Sequence, residues 1–227
     1  MHRFIRFPDA TALLPLRYYG SISYYALMAA CGKAVIGTGE LFDKRDKSAH
    51  RCTIADTNGE LRLTVPVTKP HGIPRARWTD VGISSHGEWW HNHRVSLESA
   101  YGRTPFFEFY IDRLLPFLDS SVCERYHDMA SLDIAIDAEI RRILFIETEV
   151  STGTFRAAEE AAEGSESILL TLSDAPSPES LPPYYQVRAL THGFMPGMSV
   201  LDLIFNLGPE APLYLRQSAI GYQQPAI

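Results

Sequence analysis

The fold is decided by residues 13–38, LLPLRYYGSISYYALMAACGKAVIGT, in which two apolar runs flank a helical pattern. Leu13–Tyr18 is predicted to form a strand, and Ser21 is a typical N-cap residue for a helix over Ile22–Cys31. Lys33–Thr38 is predicted to form a second strand. A strand, a short helix and a strand within this length indicate a βαβ unit, which requires parallel strands joined by a right-handed crossover.

A β-hairpin is the next clear local pattern. Arg51–Asp56 and Glu60–Val67 are separated by a turn that contains Asn58-Gly59. This pair favours a tight turn because both residue types tolerate positive φ. Apolar and polar residues alternate along the second strand, so one face is expected to be buried and the other to meet water.

The remaining segments alternate between helical and extended patterns. Helices are predicted over Glu88–Tyr101, Pro105–Leu118, Ser131–Ile146 and from Ser199 to Gly208. Further strands are predicted over Trp78–Ser84, Glu149–Thr154 and Tyr184–Leu190. The alternation predicts an α/β fold, with a single domain over residues 1–227 that has a mixed, partly parallel sheet, helices packed on it and one antiparallel hairpin. The acidic and proline-rich stretch at about 157–183 is expected to be a surface excursion of that domain.

Charge and composition limit the classes of partner. The 227 residues carry 21 Lys and Arg against 27 Asp and Glu, a formal charge of −6, which argues against nucleic acid or an anionic membrane as a partner. No apolar run is long enough for a membrane span or a signal peptide. The three cysteines form no CxxC pair and are expected to be reduced thiols, so a cytoplasmic location is predicted.

Recognisable cofactor and metal motifs are missing from the sequence. His91 and His93 are two positions apart on a predicted helix and therefore point in different directions, and no HExxH motif accompanies them. No glycine fingerprint for dinucleotides, no phosphate loop and no GxSxG elbow is present. Neither a metal nor a cofactor is expected.

Several polar residues have both a structural and a chemical interpretation. Glu98 follows Arg94 by four positions, which is typical of a surface ion pair, but a buried Glu98 would be an acid/base candidate. His192 precedes a helix in a loop and could relay a proton or make a structural hydrogen bond. The spacing of Ser199 and Asp202 predicts a capping box, and Asn206 is a candidate C-terminal cap of the same helix.

Four blocks, taken in order, resemble the WbqC-like family of bacterial proteins. They are Leu14-Pro15 with Ile22–Tyr25, Arg51-Cys52 with Leu63–Val67, Asn92-His93 with Glu98–Gly102 and Pro105–Phe107, and His192–Phe194 with Pro196, Ser199–Asp202, Phe205-Asn206 and Gly208-Pro209. The form resembled is the shorter one of the family. The chain departs from the family pattern at Ala49-His50, where Arg-Asn is usual, and at Arg17–Tyr19, where another proline is usual.

The resemblance implies a role in surface-polysaccharide (O-antigen-like) or amino-sugar biosynthesis. The expected activity is that of a group transferase that modifies an activated sugar, and the alternative is a non-catalytic binding or scaffold protein of a biosynthetic complex. The ligand would be a small molecule or a sugar nucleotide, and the oligomeric state is left open. The candidate site residues are His93, Glu98 and His192 for proton transfer and Tyr24, Arg51, Tyr101, Asp202 and Asn206 for ligand binding. In the enzyme hypothesis, Arg51 holds an anionic group and lines one pocket together with Glu98 and His192.

Overall fold

A computed structural model describes residues 7–69 and 72–220 of the chain. The strands are Phe7–Leu14 (β1), Cys31–Ile36 (β2), Arg51–Asp56 (β3), Gly59–Thr64 (β4), Val67–Thr68 (β5), Gly82–Ile83 (β6), Glu149–Thr152 (β7) and Ile168–Thr171 (β8). The helices are Ile22–Ala30 (α1), Trp89–Tyr101 (α2), Phe107–Leu114 (α3), Val122–Arg125 (α4), Met129–Ile143 (α5), Phe155–Ala162 (α6), Ala189–His192 (α7), Val200–Leu207 (α8) and Ala211–Ile220 (α9).

The main sheet has four parallel strands in the order β7-β2-β1-β8. β1 pairs with β2 on one side and with β8 on the other, and β2 pairs with β7. The parallel pair joined by α1 confirms the βαβ unit. β1 ends at Leu14, immediately before Pro15. Proline has no N–H group to donate to a neighbouring strand, so it commonly marks the end of a strand.

Helix α1 forms the centre of the core beside the main sheet. Eight of its nine residues are buried, which a surface helix with one apolar stripe would not allow. Along β1, Ala10, Ala12 and Leu14 alternate as almost fully buried residues. Helices α8 and α9 pack against α1 as well, so α1 is enclosed between the sheet and the C-terminal helices.

The predicted hairpin is present and forms its own two-stranded antiparallel sheet. β3 and β4 pair from Arg51 opposite Thr64 to Asp56 opposite Gly59. Gly59 has a φ of +104°, which explains the glycine at this turn. The α/β prediction is therefore confirmed, and the antiparallel part of the fold lies outside the parallel sheet.

Some local predictions were wrong. Tyr184–Leu190 is irregular up to the start of α7 and pairs with no strand, because side chains of α8 satisfy its polar groups instead. Within Trp78–Ser84 only β6 is extended. The helix predicted from Ser131 begins at Met129, with Asp128 as its N-cap, whose carboxylate accepts from the N–H of Ser131. The sequence prediction stopped at Gly208 and missed α9.

Candidate functional site

The candidate site is a polar cleft beyond the carboxyl ends of the neighbouring strands β1 and β8. Its volume is about 300 Å³, which is at the small end for small-molecule pockets. It is lined by residues 17–21 after β1, by residues 47–53 at the start of the hairpin, by Leu172 after β8, and by Gly197 and Ser199 before α8. Ligands of parallel sheets bind at this end because the loops that leave the strands converge there.

Three cationic side chains line the cleft: Arg17, Lys47 and Arg51. Arg17 lies 2.9 Å from the carboxylate of Asp46; burial alone would raise the pKa of Asp46, but the Arg17 charge helps to lower it overall. Nε of Arg51 donates to Oγ1 of Thr64 at 2.9 Å, which fixes the arginine across the hairpin. No acidic residue is found among the described residues of the lining, so the cleft attracts anions.

The N-termini of two helices meet at the cleft. Ser21 is the N-cap of α1 and Ser199 the N-cap of α8, and the two residues form an antiparallel β-bridge. The N–H of Val200 donates to the carbonyl of Gly20 at 2.9 Å, and the N–H of Ser199 donates to the carbonyl of Thr53 at 2.8 Å. Helix N-termini carry partial positive charge and open N–H groups, so their convergence adds to the positive potential of the three side chains.

Two lining residues carry buried hydroxyl groups without a hydrogen-bond partner among residues 7–69 and 72–220, namely Tyr19 and Ser199. Tyr19 also has a φ of +44°, in the left-handed region that is costly for a tyrosine. Backbone strain and unpaired buried polar groups concentrate at binding sites, because the surrounding structure maintains them for function.

Comparison with known proteins identifies the family of the chain. Residues 17–175, more than half of the chain, match the model of the WbqC-like protein family. The chain belongs to the WbqC-like family. No curated protein matches the chain. No solved structure matches it either. All three cationic residues of the cleft fall within the matched range of this WbqC-like chain.

Of the residues predicted to bind a ligand, Arg51 is the one that lines the cleft. Tyr24 is 2% exposed and packs beneath Gly20, where a Cβ would come within 3.0 Å of its ring. Tyr101 is fully buried, and its hydroxyl accepts from the N–H of Ala55 at 3.0 Å. Both tyrosines therefore support the walls of the site from within the core.

Asp202 and Asn206 hold a loop in place instead of facing the cleft. Oδ2 of Asp202 accepts hydrogen bonds from the hydroxyl of Tyr184 and, at 2.8 Å, from Nε2 of Gln186. Oδ1 of Asn206 accepts from the N–H of Val187 at 2.9 Å, and its Nδ2 donates to the carbonyl of Asp202. The irregular segment before α8 is thus fastened to that helix by two side chains.

The predicted capping box at Ser199 and Asp202 was wrong, since Ser199 makes no side-chain capping bond. The Asp202 carboxyl is turned to Tyr184 and Gln186 instead. The predicted C-terminal cap at Asn206 is replaced by the bonds to Val187 and Asp202. Burial raises the pKa of Asp202, although its hydrogen bonds oppose this effect.

His93 is buried and is held by two hydrogen bonds. Its Nε2 lies 3.2 Å from the carbonyl of Thr64, which can only accept, so Nε2 carries the hydrogen and Nδ1 accepts from the hydroxyl of Tyr18 at 2.9 Å. Burial lowers the pKa of His93 to about 4. The imidazole is therefore neutral near pH 7 and links α2 to the loop after β1.

Glu98 and His192 lie outside the cleft, and the structure does not bring them together with Arg51. Glu98 forms the surface ion pair with Arg94, at 2.9 Å. Nε2 of exposed His192 donates to the carbonyl of Thr57, at the turn of the hairpin. Arg51 is the first residue of β3, at the opposite end of the hairpin from Thr57. At about 3.3 Å per strand residue, Arg51 and Thr57 are roughly 15–20 Å apart.

Arg17, Lys47 and Ser199 were missed as site residues. Arg17 stood out only as a departure from the family pattern, and Lys47 lies in a charged run that is usually solvated. The signal that could have found Arg17 is the loop after the first strand of a βαβ unit, where ligands commonly bind, whereas Lys47 and Ser199 lie on other segments that no such signal marks. In the part of the chain that the structure describes, no group of three or more His, Cys, Asp or Glu side chains could hold a metal ion.

Proposed function

We propose that this WbqC-like protein binds the anionic group of an activated sugar in the cleft and acts as a group transferase in surface-polysaccharide or amino-sugar biosynthesis. The observation that carries the proposal is the convergence of three cationic side chains and two helix N-termini on one cleft. Guanidinium groups and helix N-termini are the usual protein ligands of phosphate and carboxylate groups. Family membership supports the association with polysaccharide assembly.

The proposal extends to the organisation and location of the chain. Residues 1–227 are proposed to form one WbqC-like domain, with the stretch at about 157–183 as a surface excursion on both sides of β8. The proposed location is the cytoplasm, where free cysteines such as those at positions 31, 52 and 123 are usual. No helix in the described ranges 7–69 and 72–220 is long and apolar enough to cross a bilayer.

A non-catalytic binding protein is the second candidate. It is favoured by the positions of His93, Glu98 and His192, none of which lines the cleft. A transferase needs an acid or base within hydrogen-bond reach of the reacting group. The two candidates share the cleft and differ in whether its ligand is converted.

Isothermal titration with a panel of nucleotide sugars and sugar phosphates tests the proposal. The Arg51→Ala variant is expected to bind the ligand at least tenfold more weakly, because a charge-assisted hydrogen bond is worth about 1.5–3 kcal/mol. Arg62→Ala removes an exposed arginine from the same hairpin, and Thr64→Val removes the bond that fixes Arg51. The Arg62 variant should bind as the native protein does, and the Thr64 variant should lose less affinity than the Arg51 variant.

The proposal is contradicted if no sugar of the panel binds, or if the Arg51→Ala variant binds the ligand with the affinity of the native protein. The transferase and the binding protein are then separated by mass spectrometry of the bound ligand after incubation with acyl-CoA and amino acids as co-substrates. A mass change of the sugar supports the transferase. Binding without any change supports the second candidate.

A further inference from the structure

We infer that the cleft takes a phosphomonoester in its doubly charged form, as a sugar phosphate carries it, and not a nucleotide-linked sugar. This inference rests on the proposed function, because it names the ligand class of the same cleft. It follows from the charge, the hydrogen-bond donors and the size of the cleft.

The charges of the cleft match a dianion. Arg17 is already paired with Asp46. Lys47 and Arg51 form no salt bridge within the described ranges 7–69 and 72–220; Nζ of Lys47 donates to the backbone carbonyl of Lys44 and acts on the carboxylate of Asp43 only at longer range. Two positive charges without a carboxylate partner are balanced by one phosphomonoester dianion, whereas a carboxylate or a sulfate ester supplies a single negative charge.

The donors of the cleft match a tetrahedral oxyanion. The side chain of Ser21 already accepts from the N–H of Tyr24. Ser199 is only 3% exposed, and its hydroxyl has no hydrogen-bond partner among the described residues. The N–H groups of Tyr24 and Val200 are already used, so in the first turns of α1 and α8 those of Ser23 and Leu201 lack a hydrogen-bond partner among the described residues. A phosphoryl group between the two helices would accept from the Ser199 hydroxyl and from these N–H groups, and Arg51 would hold a further oxygen.

The size of the cleft argues against a nucleotide. Its volume of about 300 Å³ is at the lower end for small ligands. Leu172 is the one aliphatic side chain of the described lining, and the rings of Tyr18 and Tyr19 are each 1% exposed in the core. A nucleobase needs an aromatic or apolar face on which to stack, and these residues offer none.

The test is isothermal titration with glucose 1-phosphate, glucose 6-sulfate and uridine diphosphate glucose between pH 5 and 8. The second ionisation of a phosphomonoester falls near pH 6, so the affinity for glucose 1-phosphate is expected to rise about tenfold from pH 5 to pH 7. Glucose 6-sulfate keeps one charge throughout and should show no such rise.

Ionisable groups around the cleft do not produce this rise. Burial lowers the pKa of His50, so it is neutral over most of the range. The pKa of Asp46 is lowered, so its carboxylate stays charged over the range. Burial raises the pKa of Asp133, on which the charge of Arg17 acts, so the ionisation of Asp133 with rising pH would weaken anion binding and oppose the expected trend. The phenols of Tyr18 and Tyr19 and the thiol of Cys52 have pKa values raised by burial and stay neutral.

A matched pair of variants tests the role of Ser199. Ser199→Ala is expected to weaken glucose 1-phosphate binding five- to tenfold, and Ser151→Ala, on an exposed residue of β7, should leave it unchanged. The inference is overturned if uridine diphosphate glucose binds and glucose 1-phosphate does not. It is also overturned if glucose 6-sulfate binds as tightly as glucose 1-phosphate, with the same pH profile. In both cases the proposed function still stands. If none of the three binds, both are overturned.

Discussion

Replacing Asp202 by alanine is expected to lower the free energy of unfolding by about 2–4 kcal/mol, because it removes an acceptor shared by two buried donors and opens a cavity. The donors are the hydroxyl of Tyr184 and the Nε2 of Gln186. Gln186 in turn holds both backbone groups of Met195, so the loss extends along the segment that leads to Ser199 and the cleft. Urea denaturation followed by circular dichroism measures the change.

Asp202→Asn is the matched control for this prediction. Burial raises the pKa of Asp202, so the carboxyl contributes through hydrogen bonding more than through charge. The asparagine oxygen can still accept from Gln186, and we expect a loss of about 1 kcal/mol. An alanine variant no less stable than the asparagine variant would show that the network does not hold the loop.

The free energy of unfolding of the native protein is expected to fall as the pH rises. In the Asp133→Asn variant this fall should be absent. Asp133 is 1% exposed, and both of its carboxyl oxygens lack a hydrogen-bond partner among the described residues. Burial raises the pKa of its carboxyl well above the ordinary value, and the charge of Arg17 only partly opposes this. Between the ordinary pKa and the raised one, the folded state binds a proton that the unfolded state has released. Stability is therefore fully retained below the ordinary pKa and falls by about 1.4 kcal/mol for each pH unit above it, until the folded pKa is reached.

The measurement is the free energy of unfolding at several pH values, compared between the native protein and the variant so that other titrating groups cancel. Asp112→Asn, at an exposed position of α3, is the control and should follow the native curve. Curves of Asp133→Asn and native protein that run parallel from pH 4 to pH 8 would show that Asp133 has an ordinary pKa in the folded state.

The main elements could be predicted from the sequence because their signals are local. Ser21, the apolar helix after it and the run that follows specify the βαβ unit, and Asn58-Gly59 specifies the hairpin. The first strand, predicted over Leu13–Tyr18, lies at Phe7–Leu14 instead. The strand predicted over Tyr184–Leu190 failed for the opposite reason. The N–H of Val187 donates to the side chain of Asn206, and the side chain of Gln186 bonds to the backbone of Met195. Such bonds across 9 to 19 positions leave no periodic signal.

The site could be predicted only in part. Arg51 was found from its place in a family block, and it lines the cleft. The polar residues Asp202 and His93 were also singled out, but they are buried and hold the cleft walls, which spacing along the chain cannot distinguish from ligand contact. Ser199 became a site residue only when the fold placed it beside Ser21, a contact between distant segments that no local pattern encodes.

A crystal structure of the protein soaked with glucose 1-phosphate tests most directly whether an anionic group occupies the cleft. We expect the phosphoryl group to lie between the N-termini of α1 and α8, with its oxygens within about 3 Å of the Arg51 guanidinium and the Ser199 hydroxyl. Density for the phosphoryl group on another surface, with the cleft free of ligand at saturating concentration, would contradict the proposed site.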